Sequence, residues 1–183
     1  MRKKHIRSLV ERLLINQDIL SAPVPVENLA EHLGADIRYT PAKESLSGFL
    51  LRDGGSGQAI IGVNKTHHAN RRRFTIAHEL GHLLLHTGQD VYVDGCAEAG
   101  LKVSLRDENS SAGTDVEEQE ANLFAAELLM PSRFLHDDLK FYGTFDFLEE
   151  DTLDGVLGSL AEKYQVSKQA LAYRLVNLGY VHL

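Results

Sequence analysis

Cysteine, long apolar runs and repeated segments are almost absent from this sequence. Cys96 is the single cysteine, so no disulfide can close within the chain, and we expect an inert thiol in a reducing compartment, the cytoplasm. Residues 1–20 begin basic like a secretory signal, but Glu11, Arg12 and Asp18 interrupt any apolar run, which predicts an amphipathic helix instead. No stretch is apolar for long enough to predict a transmembrane helix, so no membrane partner is expected.

An excess of positive charge is missing as well. The net charge of −7 argues against broad, sequence-independent binding to nucleic acids or membranes. The 183 residues are 43% hydrophobic, which is enough for one sizeable core. Strands are predicted at 36–40, 47–52 and 59–64, the last two joined in a hairpin by the glycine-rich turn 53–57. Helices follow this small early sheet, and that order indicates an α+β fold.

The predicted domain organisation is a main domain, residues 1–140, and a helical C-terminal segment, residues 141–183, packed on it. Residues 160–181 have the outline of a helix-turn-helix, which keeps open a DNA-binding regulator whose metal site is structural. Against this alternative, only Lys168 and Arg174 are basic on the second helix, and the whole chain is acidic. We therefore do not expect direct nucleic-acid binding.

The segment His78-Glu79-Leu80-Gly81-His82 matches the H-E-x-x-H pattern, on a helix predicted at roughly 67–86. Residues four apart on a helix differ by about 40° around the axis, so His78 and His82 can direct two imidazoles at one ion. Glu79 lies beside them and can act on a water molecule without binding the ion. Zinc is the ordinary occupant of such a site, and the imidazoles must be neutral to bind it.

Apolar residues cover most other sides of this helix, so its polar groups are predicted to be buried and to need partners. A surface stripe of solvated histidines is the alternative. Gly81 costs about 1 kcal/mol relative to alanine inside a helix, which indicates that another element packs closely there. His86 lies about 12 Å along the axis from His78, too far to share one ion, so a helix-end or supporting role is predicted for it.

Three glutamates open a second predicted helix, at about 115–130, and two of them can be accounted for without a metal. Thr114 followed by Glu117 fits a capping box. Glu120 is predicted to face solvent, on the same side as Glu127. A solvated, dipole-favoured N-terminus could also account for all three glutamates, Glu118 included.

Glu118 lies at the edge of the apolar face and is the carboxylate most able to point inward. Asn122, one turn further on, could supply a supporting hydrogen bond to a ligand. Ala121 and Ala125 are small enough to let this helix approach Gly81. The two helices together therefore predict a His-His-Glu metal site with an open position, as catalytic zinc sites have.

Both helices resemble the ImmA/IrrE family of metallopeptidases. The matching segments are RFTIAHELGH at 73–82 and EQEANLFAAELLMP at 118–131, and VNK, SGFLL and PVPVENLAEHLGADI are also similar. The resemblance implies a zincin-like fold and a zinc-dependent endopeptidase. It implies the metal ligands His78, His82 and Glu118, a gluzincin-like set, and Glu79 as the catalytic acid and base.

The resemblance also implies a protein substrate, a helix-turn-helix repressor whose cleavage switches on genes of a mobile element or a stress response. Because no long additional sensor domain is evident, we expect a compact antirepressor rather than a stress sensor. A protein that keeps the fold but only binds its partner is a further alternative. The four intact residues His78, Glu79, His82 and Glu118 argue against it.

Overall fold

The computed structural model describes residues 2–52, 58–86, 91–94, 111–140 and 150–181. The predicted hairpin turn at 53–57 and Cys96 lie outside these residues. Within them, the elements in chain order are α1 (Arg2–Asn16), α2 (Val26–His32), β1 (Ala35–Thr40), β2 (Gly48–Arg52), β3 (Ala59–Asn64), α3 (Ala69–Leu85), β4 (Val91–Asp94), α4 (Ser111–Leu129), α5 (Ser132–Leu139), α6 (Glu150–Tyr164) and α7 (Lys168–Leu178).

The chain divides into two compact units, and helix α4 contributes to both. Pro25–Ala125 form the sheet unit, and Met1–Val24 with Ala126–Leu183 form the helical unit. The mixture of helices with one small sheet confirms the predicted α+β class. The division expected after residue 140 stays a prediction, because residues 141–149 lie outside the described part. None of the described helices is both long enough and apolar enough to span a membrane.

The sheet has the strand order β1-β3-β2-β4. Strands β2 and β3 pair antiparallel, with Leu50 opposite Ile61, as the predicted hairpin requires. Strand β1 pairs parallel with β3, and β4 pairs antiparallel with β2. Helix α3 packs on β2 and β3, where Leu50, Ile61, Ile76 and Leu80 are all fully buried. The apolar runs of the two strands thus form the core that supports α3.

Helix α3 is held at both ends. The His68 ring accepts a hydrogen bond from the Asn70 backbone N–H at the start of the helix. At the other end, Arg52 Nη2 donates to the carbonyl oxygens of His82, Leu83 and His86 at 2.7, 3.2 and 2.5 Å. The last carbonyls of a helix have no partner within the helix and carry partial negative charge, so this cation on β2 fixes the helix end to the sheet.

In the helical unit, a buried ion pair joins α4 to α7. Glu127 and Arg174 are 4% and 5% exposed, and Arg174 Nη2 donates to the Glu127 carboxylate while its Nε donates to the Met130 carbonyl. Ser132 donates to the other Glu127 oxygen through its N–H and hydroxyl. Burial raises the pKa of Glu127, but the charge and hydrogen bond of Arg174 outweigh it, so the pKa lies below its ordinary value.

This pair corrects the expectation that Glu127 faces solvent. Its cationic partner comes from another helix, which the periodicity of α4 alone does not indicate. Arg174 is one of the two basic residues of α7. The other, Lys168, contacts the Asp154 carboxylate at 2.9 Å.

We predict that Arg174→Met destabilises the fold by about 3–5 kcal/mol, because it leaves the buried Glu127 carboxylate without its main counter-charge. Lys168→Met breaks an exposed pair and should cost about 0–1 kcal/mol. Urea unfolding at neutral pH measures both. Equal losses in the two variants would contradict the importance of the buried pair.

The same pair predicts a pH dependence. Because folding lowers the pKa of Glu127, its stabilisation is present above the pKa of the unfolded carboxyl and is lost as the pH falls through the folded value. The difference in unfolding free energy between the wild type and Arg174→Met should therefore shrink in acid.

Candidate metal centre

Helix α3 brings His78 and His82 together in the sheet unit. The two rings are 2% and 1% exposed, and their Nε2 atoms lie 3.0 Å apart. The four-residue spacing on one helix produces this convergence, as the H-E-x-x-H pattern predicts. The alternative of a solvated histidine stripe is excluded, because both rings are buried.

Helix α4 adds a carboxylate to the same point. Glu118 Oε2 lies 3.3 Å from His78 Nε2, and its Oε1 lies 3.3 Å from His82 Nε2. One donor atom from each of the three residues lies within 4.8 Å of the others. Two imidazole nitrogens and a carboxylate oxygen suit zinc, so the residues present fit the metal that the sequence predicts. The side chain of Glu118 is 39% exposed, so solvent reaches this side of the centre.

The electrostatics of the three groups favour the forms that bind metals. Contact with His78 and then with His82 lowers the pKa of Glu118, against a smaller opposing effect of burial. The pKa of His82 is also lowered, chiefly by burial, although contact with Glu118 opposes this. A charged carboxylate and a neutral imidazole are therefore favoured near neutral pH, as metal coordination requires.

The close approach of α3 and α4 at Gly81 makes this meeting possible. A Cβ atom added to Gly81 would lie 2.9 Å from Ala121 Cα and 3.2 Å from its carbonyl oxygen, closer than side-chain and backbone atoms pack. Both helices therefore depend on the absence of a side chain at Gly81. The expectation that another element packs there, opposite a small residue, agrees with the structure.

Asn122 lies one turn after Glu118 and contacts the first histidine. Its Oδ1 atom is 3.1 Å from His78 Nδ1. A neutral His78 whose Nδ1–H donates to this oxygen has its lone pair on Nε2, the atom that faces Glu118. The predicted supporting residue is thus placed where it can orient a ligand.

Glu79 is fully buried beside the start of strand β2. A Cβ atom added to Gly48 would lie 3.6 Å from Glu79 Oε1 and 2.4 Å from Thr75 Cγ2. Gly48 therefore leaves room for Thr75 of α3, and the Glu79 carboxylate lies next to this close approach. The sequence pattern alone did not single out Gly48. Its only signal was a glycine at the start of an apolar strand, and a glycine there can equally mark a bulge or a bend.

The structure corrects two expectations about α4. Glu120 was expected in solvent, but it is 8% exposed and its Oε2 lies 3.2 Å from His86 Nε2. His86 itself is 5% exposed and its Nδ1 lies 3.1 Å from His82 Nδ1. Helix α4 begins at Ser111, so Thr114 lies inside the helix and the predicted capping box is wrong. The partner of Glu120 is His86, which directly follows α3, and the periodicity of α4 does not reveal it.

Comparison with known proteins identifies the family. The family model described as "IrrE N-terminal-like domain" (Peptidase_M78) matches residues 30–176. The chain belongs to the ImmA/IrrE family of metallopeptidases. The membership predicted from the two helices is confirmed.

One relative of this ImmA/IrrE chain and one solved structure show how far the similarity extends. "Metallopeptidase ImmA" of Bacillus subtilis (strain 168) is 31% identical over 100 residues, which are 54% of this chain and 50% of that protein. A solved structure described as a Mycobacterium tuberculosis transcriptional regulator has a TM-score of 0.56 at 16% identity, covering 94% of this chain and 46% of that one. The second match shows a shared fold. The matched regions span about half the length of each of these two proteins.

The close crossing of α3 and α4 at Gly81 can be tested with a matched pair of glycine substitutions. Gly81→Ala should destabilise by about 1–3 kcal/mol through overpacking against Ala121 and weaken zinc binding, although alanine favours helix formation. Gly155→Ala, on α6 with nothing within 4 Å, should instead stabilise by about 0.5–1 kcal/mol. Thermal unfolding and zinc competition with a chelator measure both effects. A Gly81→Ala variant as stable as Gly155→Ala would contradict the close crossing.

Proposed function

We propose that this chain is a zinc-dependent endopeptidase with a zincin-like fold, which hydrolyses a peptide bond in a protein substrate. The observation that carries the proposal is the meeting of His78 Nε2, His82 Nε2 and the Glu118 carboxylate at one point. Membership of a metallopeptidase family supports the reaction class. The partly exposed Glu118 supports access from solvent to the centre.

In this proposal each side chain has a distinct task. A bound zinc ion would supply a Lewis acid that polarises the scissile carbonyl and makes water more acidic. Glu79 takes a proton from the attacking water and delivers it to the leaving amine. Asn122 accepts a hydrogen bond from His78 Nδ1, which keeps Nε2 of that ring toward the centre.

The proposed substrate is a helix-turn-helix transcriptional repressor of a mobile element or stress regulon, cleaved in the cytoplasm. This part of the proposal comes from the resemblance to the ImmA/IrrE family. The name of the Bacillus subtilis relative, "Metallopeptidase ImmA", supports peptide hydrolysis as the reaction class.

The alternative of a DNA-binding regulator with a structural metal site has less support. A recognition helix needs exposed cationic side chains to reach phosphates or base edges. On α7, Arg174 is buried against Glu127, which leaves Lys168, in an exposed pair with Asp154, as the one exposed basic side chain of this helix.

The metal site is tested by zinc content. We expect one zinc per chain in the wild type and a weakened or absent zinc in Glu118→Ala, because one of three protein ligands is lost. Glu117→Ala removes the same charge from the neighbouring position and should retain zinc. Mass spectrometry of metal content, before and after zinc addition, gives the readout. A wild-type protein that takes up no zinc would overturn the proposed function.

The role of Glu79 is tested by Glu79→Gln. This variant should keep its zinc, since Glu79 is not a proposed ligand, while cleavage falls by about 10²-fold or more because proton transfer is lost. A helix-turn-helix repressor from the same organism is the first substrate to try, and gel electrophoresis with mass spectrometry would locate the cut. Normal cleavage by the Gln variant would show that another group moves the proton.

A further inference from the structure

A chain of contacts leads away from the proposed zinc ligand His82 into the protein. His82 Nδ1 lies 3.1 Å from His86 Nδ1, and His86 Nε2 lies 3.2 Å from Glu120 Oε2. The three residues are 1%, 5% and 8% exposed. All three belong to the sheet unit, and none of these contacts has a role in the proposed proton transfer.

The proposed direction of these hydrogen bonds follows from an ionised Glu120 beside a neutral His86. An ionised carboxylate only accepts, so in this arrangement His86 Nε2 carries the proton that is donated to Glu120. A neutral His86 then has a bare Nδ1, and a nitrogen without a proton can only accept. The proton in the contact between the two rings therefore belongs to His82 Nδ1. Its other nitrogen, Nε2, is left with the lone pair that a metal needs.

Without this chain, the surroundings of His82 would favour the opposite tautomer. The Glu118 carboxylate lies 3.3 Å from His82 Nε2 and attracts a proton to that atom. A proton on Nε2 would block the lone pair. Two carboxylates thus have opposite effects on the position of one proton on His82. Glu118 favours the proton on Nε2 by direct contact, and Glu120 favours it on Nδ1 through His86.

We infer that His86 and Glu120 are positioning residues that hold His82 in the Nδ1–H tautomer and direct its Nε2 lone pair at the metal. The backbone supports this arrangement, because Arg52 donates to the carbonyl oxygens of both His82 and His86. The charge on Glu120 strengthens the bond it accepts, and burial shields it from water. His78 is oriented in the same sense by Asn122, through a single neutral hydrogen bond.

The inference rests on the proposed zinc site and is tested first by zinc affinity in two matched pairs of variants. His86→Leu cannot accept a hydrogen bond from His82, whereas His86→Gln can accept through its amide oxygen. Glu120→Leu removes the final acceptor, whereas Glu117→Leu makes the same replacement at a position outside the chain of contacts. We expect both His86→Leu and Glu120→Leu to bind zinc about 10- to 100-fold more weakly, with His86→Gln closer to the wild type and Glu117→Leu unchanged.

A spectroscopic measurement separates positioning from space filling. In zinc-loaded protein with ¹⁵N-labelled histidine, a scalar coupling between His82 Nδ1 and His86 Nδ1 across the shared hydrogen bond is expected. Glu120→Leu fills a similar volume but should reduce this coupling, because His86 no longer needs its proton on Nε2. The signals of His78 serve as the internal control and should stay unchanged.

The outcomes distinguish this inference from the proposed function. The positioning role alone would be overturned by three results together. The wild type binds one zinc, the His86→Leu and Glu120→Leu variants bind it with the same affinity, and Glu120→Leu keeps the same coupling between His82 and His86. A wild-type protein that binds no zinc would overturn the proposed function and this inference with it. Weaker zinc binding in both Leu variants, together with recovery in His86→Gln, would establish the positioning pair.

Discussion

The candidate centre depends on how closely α3 and α4 approach each other at Gly81 and Ala121. A single carbon atom added to Gly81 would stand 2.9 Å from the backbone of α4, so any side chain there would move the helices apart. Ligand distances in a metal site tolerate shifts of only about 0.2 Å. On α4, Glu118 and Glu120 precede Ala121 and Asn122 follows it, so all three lie next to this crossing. A small separation would therefore affect every contact that these residues make with the histidines of α3.

The crossing also explains how so many polar groups can be buried in one place. A buried polar group without a partner is costly, whereas a fully connected network is rigid and specific. Along α3, His78 meets Asn122 and His86 meets Glu120, while His82 lies between them and contacts His86 and Glu118. Asn122, Glu118 and Glu120 all come from α4. The network thus links the two helices more specifically than apolar packing alone would, and it orients both imidazoles at the same point.

The features that depend on a single helix could be predicted from the sequence. The predictions were wrong for side chains whose partner lies on another element of the fold. Four-residue spacing was enough to bring His78 and His82 together, and the cost of Gly81 in a helix indicated a close neighbour. Helical periodicity placed Glu120 and Glu127 in solvent, because it gives the angle of a residue around the helix axis and does not show which other element packs against that side. Their partners are 34 and 47 residues away in sequence. The cap that Arg52 provides for α3, 30 residues away at its nearest contact, was equally invisible.

The environments of Glu118 and Glu79 argue for their different proposed tasks. Two histidines lower the pKa of Glu118, which makes it a good anionic ligand and a weak base. General acid–base catalysis needs a group that can both take and release a proton near the working pH, so Glu118 is poorly suited to it. Glu79 is fully buried beside Gly48. The two carboxylates on neighbouring helices therefore have different surroundings, one beside two imidazoles and one enclosed at the start of β2, and this difference matches the proposed tasks of ligand and base.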